Sequence, residues 1–111
     1  MPAPTAWWFE HDPHGLTAHD QAGLVGRVDV QDTEAEVKVV FSLTDRVPHG
    51  MATELARGAF AHPALEPDRT VAVSLPQGEV DVLAEVRRHL WVVQTHVAGA
   101  TCLVEGRVRG R

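Results

Sequence analysis

The chain has 111 residues, 44% of them apolar, enough to build one hydrophobic core and too many for a disordered segment. Fifteen acidic against ten basic residues give a formal charge of -5, which excludes nucleic acid as the main partner because a phosphate backbone needs a basic footprint. A single cysteine, Cys102, excludes an internal disulfide and fits a reducing compartment; with no basic-then-apolar leader and no apolar run approaching ~20 residues, a cytoplasmic location and no membrane partner are expected.

Pro2, Pro4, Pro13 and Gly15 predict an irregular segment over residues 1–21, pinned to the body by Trp7, Trp8 and Phe9. A single domain is expected from residue 22 to 111. Period-two alternation dominates it. Leu24, Gly26, Val28 and Val30 form one row, and Val37, Val39, Phe41 and Leu43 the next, joined as a hairpin through Gln31–Glu34. From about Gly50 to Ala61, Met51, Ala52, Leu55, Ala56, Ala59 and Phe60 make a broad apolar stripe opposite Glu54 and Arg57. That is a helix, ended by His62-Pro63. Val71, Val73 and Leu75 predict a third strand, stopped at Pro76-Gln77-Gly78. Val80, Val82, Ala84 and Val86 alternate in turn, followed by Val93–Val97, a turn at Ala98-Gly99-Ala100, and a last strand with Cys102, Val104 and Val108 inward. Residues 79–90 also fit helical spacing through Val80, Leu83, Val86 and Leu90. Read as a strand, they complete a four-strand meander; read as a helix, they give the order ββαβαβ and a ferredoxin-like fold.

Two strands, a His-Gly loop, one apolar helix and a meander together resemble the hot-dog superfamily, an α+β fold with a curled antiparallel sheet around one central helix. The residues that carry the resemblance are Val47-Pro48-His49-Gly50-Met51 leading into Ala52–Ala56, then Gly78–Val86 and Thr101–Val108. They are most similar to the phenylacetate-pathway type of acyl-CoA thioesterase. The resemblance implies hydrolysis of a small acyl or aromatic acyl thioester, with acyl-CoA as partner, no cofactor or metal, and a homodimer or homotetramer with sites between subunits. Two alternatives stand beside it: a non-catalytic hot-dog protein binding a hydrophobic small molecule, and a ferredoxin-like interaction module.

A helix N-terminus presents unpaired N–H groups and a positive dipole end, a suitable place for a developing oxyanion. Under the resemblance, His49 contacts the thioester carbonyl and the Gly50–Met51 backbone receives its oxygen. Glu54 or Asp45 activates water, and Arg87 and Arg107 meet the phosphates of coenzyme A. The sequence departs from the family at Met51, which replaces a glycine, and at Gly58, which falls where the family places its carboxylate. Elsewhere, Glu10, His11, Asp12, His14, His19 and Asp20 are the densest group of metal-ligand types, but their spacing matches no zinc pattern. Cys102 reads as a buried thiol, and His96 points to the opposite face from Val97.

Overall fold

The computed structural model describes residues 7–45, 47–48 and 50–110. Nine elements follow in order: β1 (Trp7–Asp12), β2 (Gly15–Asp20), β3 (Gly23–Asp32), β4 (Val37–Leu43), α1 (Met51–Phe60), β5 (Thr70–Pro76), α2 (Val80–His89), β6 (Leu90–Ala98) and β7 (Thr101–Val108). All seven strands join one sheet in the order β1-β2-β3-β4-β5-β7-β6. The first four form an antiparallel meander. The chain then crosses through α1 to β5, which lies parallel to β4, and β7 slots in between β5 and the edge strand β6.

The alternation read from the sequence sorts the two faces. Leu16 and Ala18, Val28 and Val30, Val37, Val39 and Phe41, Val71, Val73 and Leu75, and Cys102 and Val104 are buried toward one side. Arg27, Gln31, Lys38, Ser42, Glu105 and Arg107 stand exposed on the other. Helix α1 packs on β2 and β3, α2 reaches β6, and the two helices pack on each other, so they make one layer over the apolar face. Leu55 and Met51 are fully buried in that layer. At Gly58 an added Cβ would stand 2.9 Å from Leu16 Cδ1, so the glycine is where α1 settles closely on β2. The position expected to have lost a carboxylate is therefore a packing contact.

Three expectations are corrected here. Residues 7–20 are not irregular but form the β1–β2 hairpin. Its turn confines Pro13, and Asp12 Oδ1 accepts the His14 N–H at 2.7 Å, closing the turn locally. Residues 80–89 are a helix, not a strand. Val82 and Val86 satisfy both periods and cannot distinguish them. The deciding positions are Val80 and Ala84, which are exposed, and Glu85, which is 5% exposed; only a helix puts 82, 85 and 86 on one side. The hot-dog architecture fails with that strand, because the sheet contains a parallel β4–β5 pair and wraps around no single helix. The ferredoxin-like alternative had the second helix, but a seven-stranded mixed sheet is not that fold.

Replacing Leu55 by Ala is expected to cost about 2–5 kcal/mol, because it leaves a cavity between α1 and the sheet that neighbouring backbone cannot fill. Chemical denaturation with an unchanged slope and a lower midpoint would show it; a change below about 0.5 kcal/mol contradicts this packing.

Candidate functional site

The parallel pair opens at one end. Strands β4 and β5 are registered from Val37 with Val71 to Val40 with Ser74, and there their pairing stops, although β4 runs on to Leu43 and β5 to Pro76. Each extension keeps its outer partner. Phe41, Ser42 and Leu43 stay paired with Val28, Arg27 and Gly26 of β3. Leu75 and Pro76 stay paired with Cys102 and Thr101 of β7. Beyond the strands, the Thr44 N–H and hydroxyl both reach Val25 O, at 3.0 and 2.9 Å, while the Gln77 N–H donates to Ala100 O at 2.8 Å. The two halves of the sheet are thus drawn apart at the carboxyl ends of their only parallel strands. A crevice at the carboxyl ends of parallel strands is the usual ligand position in open α/β sheets.

The chain enters α1 beside this opening. Gly50 sits before the helix with φ of 90°, a left-handed conformation that side chains rarely adopt, and nothing lies within 4 Å of where its Cβ would be. Among the described residues no side chain caps the helix start, so the positive dipole end of α1 has no capping group from them.

The residues expected to act together are only partly assembled. Gly50 and Asp45 stand at the opening, Asp45 exposed in the turn just after β4. The Met51 side chain is fully buried and its N–H is already given to Pro48 O at 3.1 Å, so it is not free to receive an oxyanion. Glu54 Oε1 accepts from Arg57 at 3.2 Å on the helix surface. Arg87 lies in the last turn of α2, and Arg107 lies on the open face of β7 opposite Thr70, the first residue of β5. Both are at the end of the sheet away from the opening, Arg107 on the open face and Arg87 on the helix layer. His49 lies outside the described residues.

A second cluster, which the linear pattern did not single out, holds the helices together. Buried Glu85 accepts from His89 at 2.8 Å and Arg57 at 3.5 Å, linking α2 to α1, and the His89 ring stacks on Phe60 at 4.7 Å. Burial pushes the Glu85 carboxyl up, but hydrogen bonds and charge from His89 and Arg57 outweigh it, so the group lies below the usual glutamate value. Its signal was available only in the helical reading, where Glu85 and His89 become i, i+4 neighbours.

Of the amino-terminal histidines and acids, His19, Glu10, Asp12 and Asp20 make contacts within or beside the hairpin. His19 contacts Thr17 at 2.8 Å and Glu10 at 3.2 Å and stacks on Trp8, and Asp20 accepts the Ala22 N–H at 2.7 Å. His62 joins the end of α1 to the β1–β2 turn: Nδ1 accepts from the Ala64 N–H, so Nε2 carries the proton and donates to Pro13 O at 2.8 Å. Among the described residues, no three His, Cys, Asp or Glu converge as a metal site would require. Nor is any described helix long and apolar enough to cross a membrane.

No family model matches the sequence, and no curated protein matches it. Two solved structures do match in fold. A protein of Sphaerobacter thermophilus DSM 20745 assigned as an acetyltransferase is 15% identical, with a TM-score of 0.55 over 92% of this chain and 69% of that one. Arabidopsis thaliana Naa50, in complex with the bisubstrate analogue CoA-Ac-MVNAL, is 11% identical, with a TM-score of 0.50 over 83% of this chain and 70% of that one. The chain thus shares the overall fold of these two structures. This overturns the resemblance to hot-dog thioesterases, the hydrolase reading that rested on it, and both alternatives, the non-catalytic hot-dog binder and the ferredoxin-like module.

Because the folded Glu85 value is depressed, its stabilisation is complete above the ordinary carboxylate range and is lost as pH falls through the folded value. Glu85→Gln is expected to lower stability by about 1–2 kcal/mol near pH 7, a gap that narrows as pH drops below about 4. Thermal melts of both proteins across that range test it; a constant gap contradicts an ionised Glu85.

Proposed function

We propose that the chain is an acyl-CoA-dependent acyltransferase that moves an acetyl group from acetyl-CoA to an amine. The observation that carries this reading is the opening between β4 and β5 beside the start of α1. The fold it shares with two acetyltransferase structures, one of them bound to a coenzyme A analogue, supports it.

The chemistry of the donor suits the residues present. Where β4 loses β5, the backbone of Phe41–Leu43 has a side with no strand partner, and an extended amide-bearing arm such as that of coenzyme A can pair there as a short strand would. With the Met51 N–H engaged by Pro48, the Ala52 and Thr53 N–H groups are the first-turn donors that can take a pyrophosphate, and Gly50 allows close approach where any Cβ would intervene. These two features lie at the same end of the sheet, as one bound molecule requires.

The acceptor then comes from the open sheet face, where Val40, Ser42, Ser74 and Pro76 border the opening. In the reaction the amine nitrogen attacks the thioester carbonyl. A C–N bond forms, the C–S bond breaks, and the amine's proton ends on the departing thiol, directly or through a carboxylate. Among the described residues, Asp45 is the carboxylate at the mouth of the opening and takes the role of proton acceptor here. Holding the amine against the thioester supplies much of the rate, since positioning replaces a bimolecular encounter.

Titration calorimetry with acetyl-CoA is expected to show one site per chain, and thiol release to appear only when an amine is supplied. Gly50→Val should weaken binding about tenfold or more, about 1.4 kcal/mol per decade. Asp45→Asn should retain binding and reduce turnover. No binding by a folded protein would overturn the reading, and thiol release independent of amine would replace transfer by hydrolysis.

A further inference from the structure

The two edges of the sheet are built differently. The β1 edge, Trp7–Asp12, carries Glu10, His11 and Asp12, charged and polar groups that discourage pairing with another strand. The β6 edge reads Leu90-Trp-Val-Val-Gln-Thr-His-Val-Ala98, with no Lys, Arg, Asp, Glu, Pro or Gly. All of it beyond Leu90 is exposed, and four large apolar side chains stand in water: Trp91 at 57%, Val92 at 40%, Val93 at 76% and Val97 at 56%. Its one protective device is the bulge between Val92 and Gln94, which turns Val93 outward and leaves Gln94–Ala98 as a regular free edge.

We infer that β6 pairs with β6 of a second copy of this chain, antiparallel about a two-fold axis perpendicular to the sheet. Self-pairing is favoured over head-to-tail pairing by charge: a β1 edge laid on β6 would set Glu10 and Asp12 against a strand whose one ionisable side chain is His96, the nearby Arg109 being engaged over Trp91. Head-to-tail pairing would also leave both ends open to further addition, whereas the two-fold closes.

The alternation requires the axis to pass through a residue, and His96, the middle of the regular stretch Gln94–Ala98, lets all five of its residues pair. Gln94, His96 and Ala98 share the open face with Glu105, Leu103 and Thr101, while Thr95 and Val97 share the helix face with Val104 and Cys102. Paired residues must lie on the same face, and centring on His96 achieves this, with Gln94 opposite Ala98, Thr95 opposite Val97, and His96 opposite its own copy. The result is a continuous sheet across two copies with all four helices on one side. In this register the ladder runs over Gln94–Ala98 of each copy, about 17 Å of edge, and with Val97 it buries less than the ~1,200 Å² total of the smaller stable interfaces. A reversible dimer is therefore expected, one that dissociates on dilution.

Light scattering on the eluting wild-type protein, loaded well above micromolar concentration, should give twice the chain mass of 12.1 kDa, and Val97→Lys should give the monomer mass with an unchanged circular dichroism spectrum. A wild-type protein that stays monomeric overturns the inference, as does a folded Val97→Lys that remains a dimer. If Val97→Lys does not fold, the His96→Cys protein in a Cys102→Ala background decides. Paired across the axis, its thiols are close enough for a disulfide, so mild oxidation should yield a covalent dimer; failure to cross-link counts against the register and the interface together. None of these outcomes depends on acyl transfer, because β6 is an edge strand separated from the β4–β5 opening by β7.

Discussion

The competition between inner and outer partners at the ends of β4 and β5 governs this structure. A strand in mid-sheet has two neighbours, and its backbone groups must be satisfied on both sides unless something else supplies them. Here the outer neighbours win. Thr44 gives two hydrogen bonds to Val25, and Gln77 gives one to Ala100, so each strand end is tied to its own half of the sheet. Pro76 contributes by lacking an N–H to offer across the gap. The cost of the unpaired backbone is carried at the opening, where a ligand with its own amides can remove it.

The helices are arranged to keep that opening at a helix start. A parallel pair requires a crossover, and α1 makes it over the apolar face, entering from the carboxyl end of β4. Gly50 places the entry in a left-handed conformation, and Gly58 lets the helix settle on Leu16. Glu85 then locks α2 against α1 through Arg57 and His89. The buried Glu85 carboxylate, held by the Arg57 guanidinium of α1 and the His89 ring of α2, defines which faces of the two helices meet.

On the opposite face the sheet is bare, and the exposed side chains are mixed in charge. His96 and Glu105 stand 3.6 Å apart, Arg27 and Asp29 2.8 Å apart. Such exposed pairs add little stability. Their effect is to keep this face wet while leaving Val40, Ser42 and Ser74 accessible near the opening. Apart from His96, the exposed side chains of β6 are uncharged, and its edge departs from that pattern.

How much of this was legible in the chain differs by element. Strands β3, β4, β5 and β7 and helix α1 were readable because one face of each meets a core and the other meets water, and that asymmetry writes a period of 2 or 3.6 directly into the sequence. Helix α2 was not settled, because Val82 and Val86 fit both periods and only the exposure of Val80 and Ala84 and the burial of Glu85 separate them. A glutamate in that place reads as surface until its partners, one of them 28 residues away in Arg57, are brought beside it. Gly50 could be singled out as a helix entry, whereas the opening beside it could not. Whether β4 and β5 run parallel, and where they part, depends on hydrogen bonds to Val25 and Ala100 that no local pattern encodes. The sequence by itself determined which residues face the core, since burial is a local choice at each position; the tertiary structure alone decided which strands are neighbours, and so where a site could open, because pairing is settled between segments far apart in the chain.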